Sequence, residues 1–191
     1  MLVYDCEIQK CIPDKRQPND PNLQYCNGWT DYVGMGISTI CAWDYDDKRF
    51  RVFTHDNLSD FAELVKRHEH IIGFNSIRFD DPLCCANGVP ILTTYDLFKE
   101  ISNAAGNGKG CGQADMLQAN AGIPKAGHGA MAPIWFQQGR LGKLIDYCLE
   151  DVRGLAILVR NVIQGKPLVH PTTGVELSIM RPSWMDKYVQ R

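Results

Sequence analysis

The chain has 191 residues, a formal net charge of -2, 45% hydrophobic residues and 22% charged residues. This composition excludes an intrinsically disordered chain, and the charge balance excludes a protein that coats nucleic acid by bulk electrostatics. Apolar runs are too short for a transmembrane helix, no basic and apolar leader pattern opens the chain, and the eight scattered cysteines lack a Cys-x-x-Cys pair, which predicts reduced, mostly buried thiols in a cytoplasmic protein.

Leu2–Ile8 reads as a strand, and residues 9–31, rich in Pro, Asn, Asp and Gln, read as a loop or insertion. Residues 32–43 alternate β-branched and aromatic side chains and predict a second strand. A charged turn at 44–48 leads to a third strand at 49–54. Residues 57–68 carry helical spacing at Leu58, Phe61, Ala62, Leu64 and Val65, with Asn57 or Ser59 as the cap. A short apolar run at 71–74 predicts a buried strand. Residues 81–86 predict a helix that tolerates Pro82 in its first turn, and 93–98 a strand or strand end. Residues 102–112 are a Gly- and Asn-rich loop, 113–121 a short helix stopped by Gly122, and 125–133 a Gly-rich stretch without apolar period. The strongest helical pattern runs over 141–163 and stops at Gly165. Residues 169–179 predict a hairpin around Pro171-Thr172-Thr173-Gly174. Early strands followed by interspersed helices predict a single α/β domain, a mixed β-sheet flanked by helices.

Three features can carry chemistry. Asp5 and Glu7 lie two apart on a strand, so they share a face. Like charges this close need a cation between them, and hard oxygen donors suit Mg²⁺ or Mn²⁺. Taken alone, the pair also fits an exposed edge. Asn75 and Asp80 sit where a buried strand turns into a helix, whose N-terminus favours the ionised carboxylate. Asp80 or Asp81 fits a simple helix cap equally well. Tyr147 and Asp151 are four apart on the long helix and share a face, where Tyr147 also fits the boundary of the core.

In chain order, Asp5-x-Glu7, Asn75-x-x-x-Phe79-Asp80 and Tyr147-x-x-x-Asp151 together resemble the DEDDy 3′→5′ exonucleases of the ribonuclease-H-like (DnaQ-like) superfamily. The stretch from Asn75 to Leu83 is similar to the second exonuclease motif of family B DNA polymerase proofreading domains. The resemblance covers residues 2 to about 163. It implies a ribonuclease-H-like exonuclease domain over residues 1–165, with a C-terminal hairpin and tail (166–191) packed on it. It also implies two Mg²⁺ or Mn²⁺ ions. Asp5, Glu7 and Asp151 would ligate one of them, Asp5 would be shared, and Asp80 would hold the second directly or through water. Tyr147 would orient the attacking water. Asp81 is the alternative to Asp80, although the Phe-Asp-x-Pro match favours Asp80; Asp96 is a secondary, structural candidate. Asn75 and Phe79 are expected to contact substrate. Lys125, His128 and Arg140 either contact phosphates or the terminal nucleotide, or form a basic surface loop around a core Trp135.

The expected substrate is a single-stranded or frayed 3′ end of DNA, or RNA, releasing nucleoside monophosphates, with no membrane association. A polymerase or helicase partner would act in trans. Two other functions fit the same residues less well: a structure-selective endonuclease of the same fold, and a silent module that binds nucleic acid or protein.

Overall fold

The computed structural model describes residues 1–124, 127 and 129–189. One mixed sheet of five strands carries the chain: β1 (Leu2–Ile8), β2 (Ile37–Asp44), β3 (Arg49–Thr54), β4 (Ile71–Gly73) and β5 (Tyr95–Asp96), in the order β3-β2-β1-β4-β5. β1 pairs antiparallel with β2 and parallel with β4, and β4 pairs parallel with β5. The architecture is α/β and ribonuclease-H-like, as the sequence predicts.

β1 is central because both its faces are covered, six of its seven residues being buried, which suits a strand inside the sheet. Val3 joins the core beneath the long helix α7 (Leu141–Ile163), while Leu2, Tyr4, Cys6 and Ile8 enter a second core with α2 (Leu58–Val65) and α3 (Asp80–Ala86). Asp5 and Glu7 share Val3's side of the pleat.

Two further helices and a hairpin complete the α7 layer: α4 (Leu97–Ala105), α5 (Gln113–Ala121) and the pair β6 (Leu168–Val169) and β7 (Glu176–Leu177). Gly154 lets α5 approach α7 closely, since a Cβ there would lie 2.3 Å from Leu117 Cδ1. Leu168, Leu177, Met185 and Tyr188 insert into the core under α7. All eight cysteines are free, and Cys85 alone is exposed. Among the described residues no helix is long and apolar enough to cross a membrane.

Three sequence expectations change. Residues 32–43 are not all strand: Asp31 accepts a hydrogen bond from Gly34 N at 3.0 Å and starts a one-turn helix, α1 (Tyr32–Met35), before Gly36 (φ 62°) redirects the chain into β2. That side-chain cap overrides the β preference of Tyr32 and Val33. The strand expected at 93–98 shrinks to two residues, because Asp96 caps α4 through Lys99 N at 3.2 Å. Within 125–133 a helix begins: α6 (Ala132–Gln137), started by Pro133 and too short to show an apolar period.

Candidate active site

The floor is β1. Asp5 and Glu7 point from its C-terminal half toward α7, beside a register irregularity between Glu7 and Ile8 that bends the strand at this point. Glu7 is 8% exposed, and its carboxylate accepts no hydrogen bond among the described residues. Asp5 has only a long contact from the Cys148 thiol, 3.8 Å from Oδ2. Burial pushes both carboxyls well above the usual range; the Asp80 and Glu7 charges add to the effect on Asp5, and those of Asp151 and Asp80 to the effect on Glu7. Carboxylate oxygens of Asp5 and Glu7 and the Cys148 sulfur lie within 4.8 Å of one another, a group able to hold a metal ion.

The turn after β4 brings in Asp80. Asn75 adopts φ 61°, a left-handed conformation that costs energy for a residue with a Cβ. Asp96 stabilises it by accepting Asn75 N at 2.9 Å and Ile77 N at 3.2 Å. The polar turn therefore has a fixed shape and delivers Asp80 to the head of α3. Asp80 Oδ1 accepts the Cys6 thiol at 2.9 Å, yet burial still pushes the carboxyl up to about 6. Its neighbour Asp81 is committed elsewhere. It accepts Tyr4 Oη at 2.6 Å, Thr93 N at 2.9 Å and Thr93 Oγ1 at 2.8 Å. Asp80 lines the cleft and Asp81 ties α3 to the sheet.

α7 supplies the opposite wall. Tyr147 and Asp151 stand one turn apart, both facing the cleft. Trp135 packs edge-on against Tyr147, with centroids 5.6 Å apart, and a Cβ on Gly127 would lie 3.1 Å from Tyr147 Cε2. Gly127 is therefore what leaves room for the phenol ring in this position. Burial, then the Asp151 and Glu7 charges, hold the Tyr147 hydroxyl well above its usual range, so it is a hydrogen-bond donor at neutral pH.

These groups converge on a cleft of about 310 Å³ lined by Asp5, Cys6, Glu7, Trp29, Phe74, Asn75, Phe79, Asp80, Tyr147 and Asp151. Among the described residues no Lys or Arg lines it. Of the expected substrate contacts, Asn75 and Phe79 line it. Arg140 does not: it is exposed at the start of α7, with its backbone bonded to Trp135 O at 2.8 Å. Lys125 and His128 lie outside the described residues. Sequence reading missed Trp29 and Phe74. Trp29 is 69% exposed, and its only signal was a large aromatic within an otherwise polar, turn-rich insertion.

The insertion carrying Trp29 is pinned to α6 by one side chain. Gln137 Oε1 accepts Gln24 N at 2.7 Å, while Nε2 donates to Gln24 O at 3.1 Å and Gln9 O at 3.0 Å. Cys11 and Cys26 close the loop through backbone bonds, Cys11 N to Gln24 O and Cys26 N to Cys11 O, both at 3.0 Å.

No protein-family model and no curated protein sequence matches the chain. Among solved structures it is similar to the family B DNA polymerase from the hyperthermophilic archaeon Pyrobaculum calidifontis, with a TM-score of 0.60 and 17% identity over 93% of this chain. The match covers 26% of the polymerase chain, so this protein spans about a quarter of that enzyme's length. At this identity the likeness is one of fold.

Proposed function

We propose that the chain is a 3′→5′ exonuclease of the DEDDy type, dependent on Mg²⁺ or Mn²⁺ and acting on single-stranded or frayed 3′ ends of DNA, with RNA an alternative substrate. Residues 1–165 form the exonuclease unit, and 166–191 are its C-terminal hairpin and tail. One observation carries this function: four buried or half-buried carboxylates, Asp5, Glu7, Asp80 and Asp151, line one cleft with Tyr147. Such a group is costly at neutral pH unless positive charge is brought close to it, and a divalent cation supplies that charge compactly. The oxygen-rich donor set fits a hard divalent ion, so the residues present suit the implied metals.

Asp5, Glu7 and Asp151 would hold one ion, and Asp80, with Asp5 shared, the second. When bound, such ions activate a water and offset charge on the leaving 3′ oxygen. Tyr147, a donor held in place by Trp135 and Gly127, orients the water toward the scissile phosphate. Asn75 and Phe79 hold the terminal nucleotide against the opposite wall.

The test is a nuclease panel with Mg²⁺ and Mn²⁺ on end-labelled single-stranded DNA, duplex DNA and RNA, with Asp5→Ala as control. Stepwise shortening from the 3′ end that disappears in the variant is expected. Internal cuts in a circular substrate would assign an endonuclease instead, and no Asp5-dependent hydrolysis of any substrate would leave only a binding module.

A further inference from the structure

Resting on the nuclease function proposed above, we infer that Trp29 is a base-stacking platform: it takes an unpaired nucleobase of the strand being cut and so selects single-stranded ends over duplex. Three observations converge on this residue.

The first is its place. Trp29 lines the same cleft as the four carboxylates, although the polar insertion that carries it belongs to neither the sheet nor the helices that supply them. The second is its exposure. A large aromatic that is 69% exposed adds little to the core; its ring meets Phe79 only edge-on, with centroids 6.2 Å apart, leaving surface for another planar partner. Phe79 is in turn held edge-on by Tyr32, also at 6.2 Å, so the neighbouring wall is itself fixed.

The third is rigidity. Asp31 accepts Asn27 N at 2.7 Å, Asn27 Nδ2 at 2.9 Å and Gly34 N at 3.0 Å, and donates its own N–H to Gly28 O at 3.1 Å. These bonds close a tight turn with Trp29 at its tip, and Gly28 supplies the positive φ of 134° that the turn needs. The Gln137 clamp fixes the other end of the insertion. A side chain already ordered before binding loses little entropy when a partner arrives. The chemistry of that partner follows from the setting. A flat π-face beside a phosphodiester-cleaving carboxylate group suits a nucleobase, since every base offers a face for stacking. A base inside a duplex has both faces covered by its neighbours and offers Trp29 no free face, whereas an unpaired base does.

The experiment uses the full chain with Mn²⁺ and a 3′-terminal single-stranded oligonucleotide, intact or with an abasic residue at each of the last three positions in turn. Trp29→Ala is expected to raise KM about tenfold, the order that base–aromatic stacking supports, with a much smaller change in kcat; Trp29→Phe recovers most of the loss. In the unsubstituted protein an abasic residue at one of the three positions raises KM by a similar factor, and in Trp29→Ala that same abasic residue adds nothing. Thermal melting of both variants checks that they fold. Asp5-dependent hydrolysis with equal KM in Trp29→Ala, or with abasic effects of the same size in both proteins, overturns the role of Trp29 and leaves the exonuclease standing. Absence of any Asp5-dependent hydrolysis overturns both.

Discussion

The molecule holds two acidic groups of similar density, and they are built on opposite plans. At the turn between β2 and β3, Asp47 meets Arg49 at 3.1 Å, Arg67 at 3.4 Å and also Arg51, while Asp44 has Arg51 at 3.7 Å. Hydrogen bonding from Arg49 holds the Asp47 carboxyl below its usual range. In the cleft, Asp5 and Glu7 have no such partners among the described residues, and their carboxyls are displaced upward. The first group is neutralised by the chain's own cations and reads as structure. In the second, Asp5 and Glu7 meet no cation among the described residues, and that difference, more than the number of acids, marks it as a place for an external cation.

Four experiments can break or sharpen this contrast. The largest effect is expected in the cleft: Asp5→Ala should lower hydrolysis by about a thousandfold or more, roughly 4 kcal/mol of barrier, while the metal-free protein melts no lower than the unsubstituted chain at pH 7. A large loss of metal-free stability would place Asp5 among the structural acids. Next comes the adjacent pair at α3. Asp81→Ala should cost about 3 kcal/mol of stability in chemical denaturation, because the buried Tyr4 hydroxyl and both Thr93 donors lose their acceptor. Asp80→Asn should keep the fold and lose activity. If the two exchange these phenotypes, the cleft ligand is Asp81.

The third effect concerns pH. Asp80 titrates near 6 in the folded chain against an ordinary value of 3.8, and Asp5 and Glu7 shift in the same direction. The folded state therefore binds more protons than the unfolded state above about pH 4, so these groups favour folding at low pH and that contribution is lost as pH rises through about 6. The metal-free melting temperature should fall between pH 5 and 7, and added Mn²⁺ should restore it more at pH 7 than at pH 5. A melting temperature that rises over this range without metal would contradict the upward shift of these buried acids. The smallest effect is at the β2–β3 turn. Asp47→Ala should lower the melting temperature by about two degrees or less, a difference that shrinks in high salt, with hydrolysis unchanged.

Much of this was legible in the sequence, for physical reasons that differ from element to element. Leu2–Ile8 and Leu141–Ile163 announce themselves because burial imposes a period over many residues, and the cleft carboxylates sit on or beside these elements. α6 and α4 were hidden. The six residues of α6 are too few to show a period, and α4 depends on Asp96 serving two neighbours at once: it caps the helix and supports the Asn75 turn. The choice between Asp80 and Asp81 needed Thr93 and Tyr4, one twelve residues ahead of Asp81 and the other far behind it in the chain. Trp29 was illegible as a cleft residue because the contact that brings its loop to the site, Gln137 to Gln24, spans 113 positions.

That same clamp sets a timetable for synthesis. The insertion is made before the side chain that fastens it, which follows more than a hundred residues later, on the order of ten seconds at ordinary elongation rates. Until α6 emerges, the aromatic rim has no anchor, and until α7 follows, Tyr147 and Asp151 do not exist. The cleft is thus completed only once α7 is made, and a nascent chain that stalls before α6 carries Asp5, Glu7 and Asp80 without Tyr147 and Asp151. Limited proteolysis of a chain ending at residue 131 reads this directly: the 9–31 segment should be cleaved there and protected in the full-length protein.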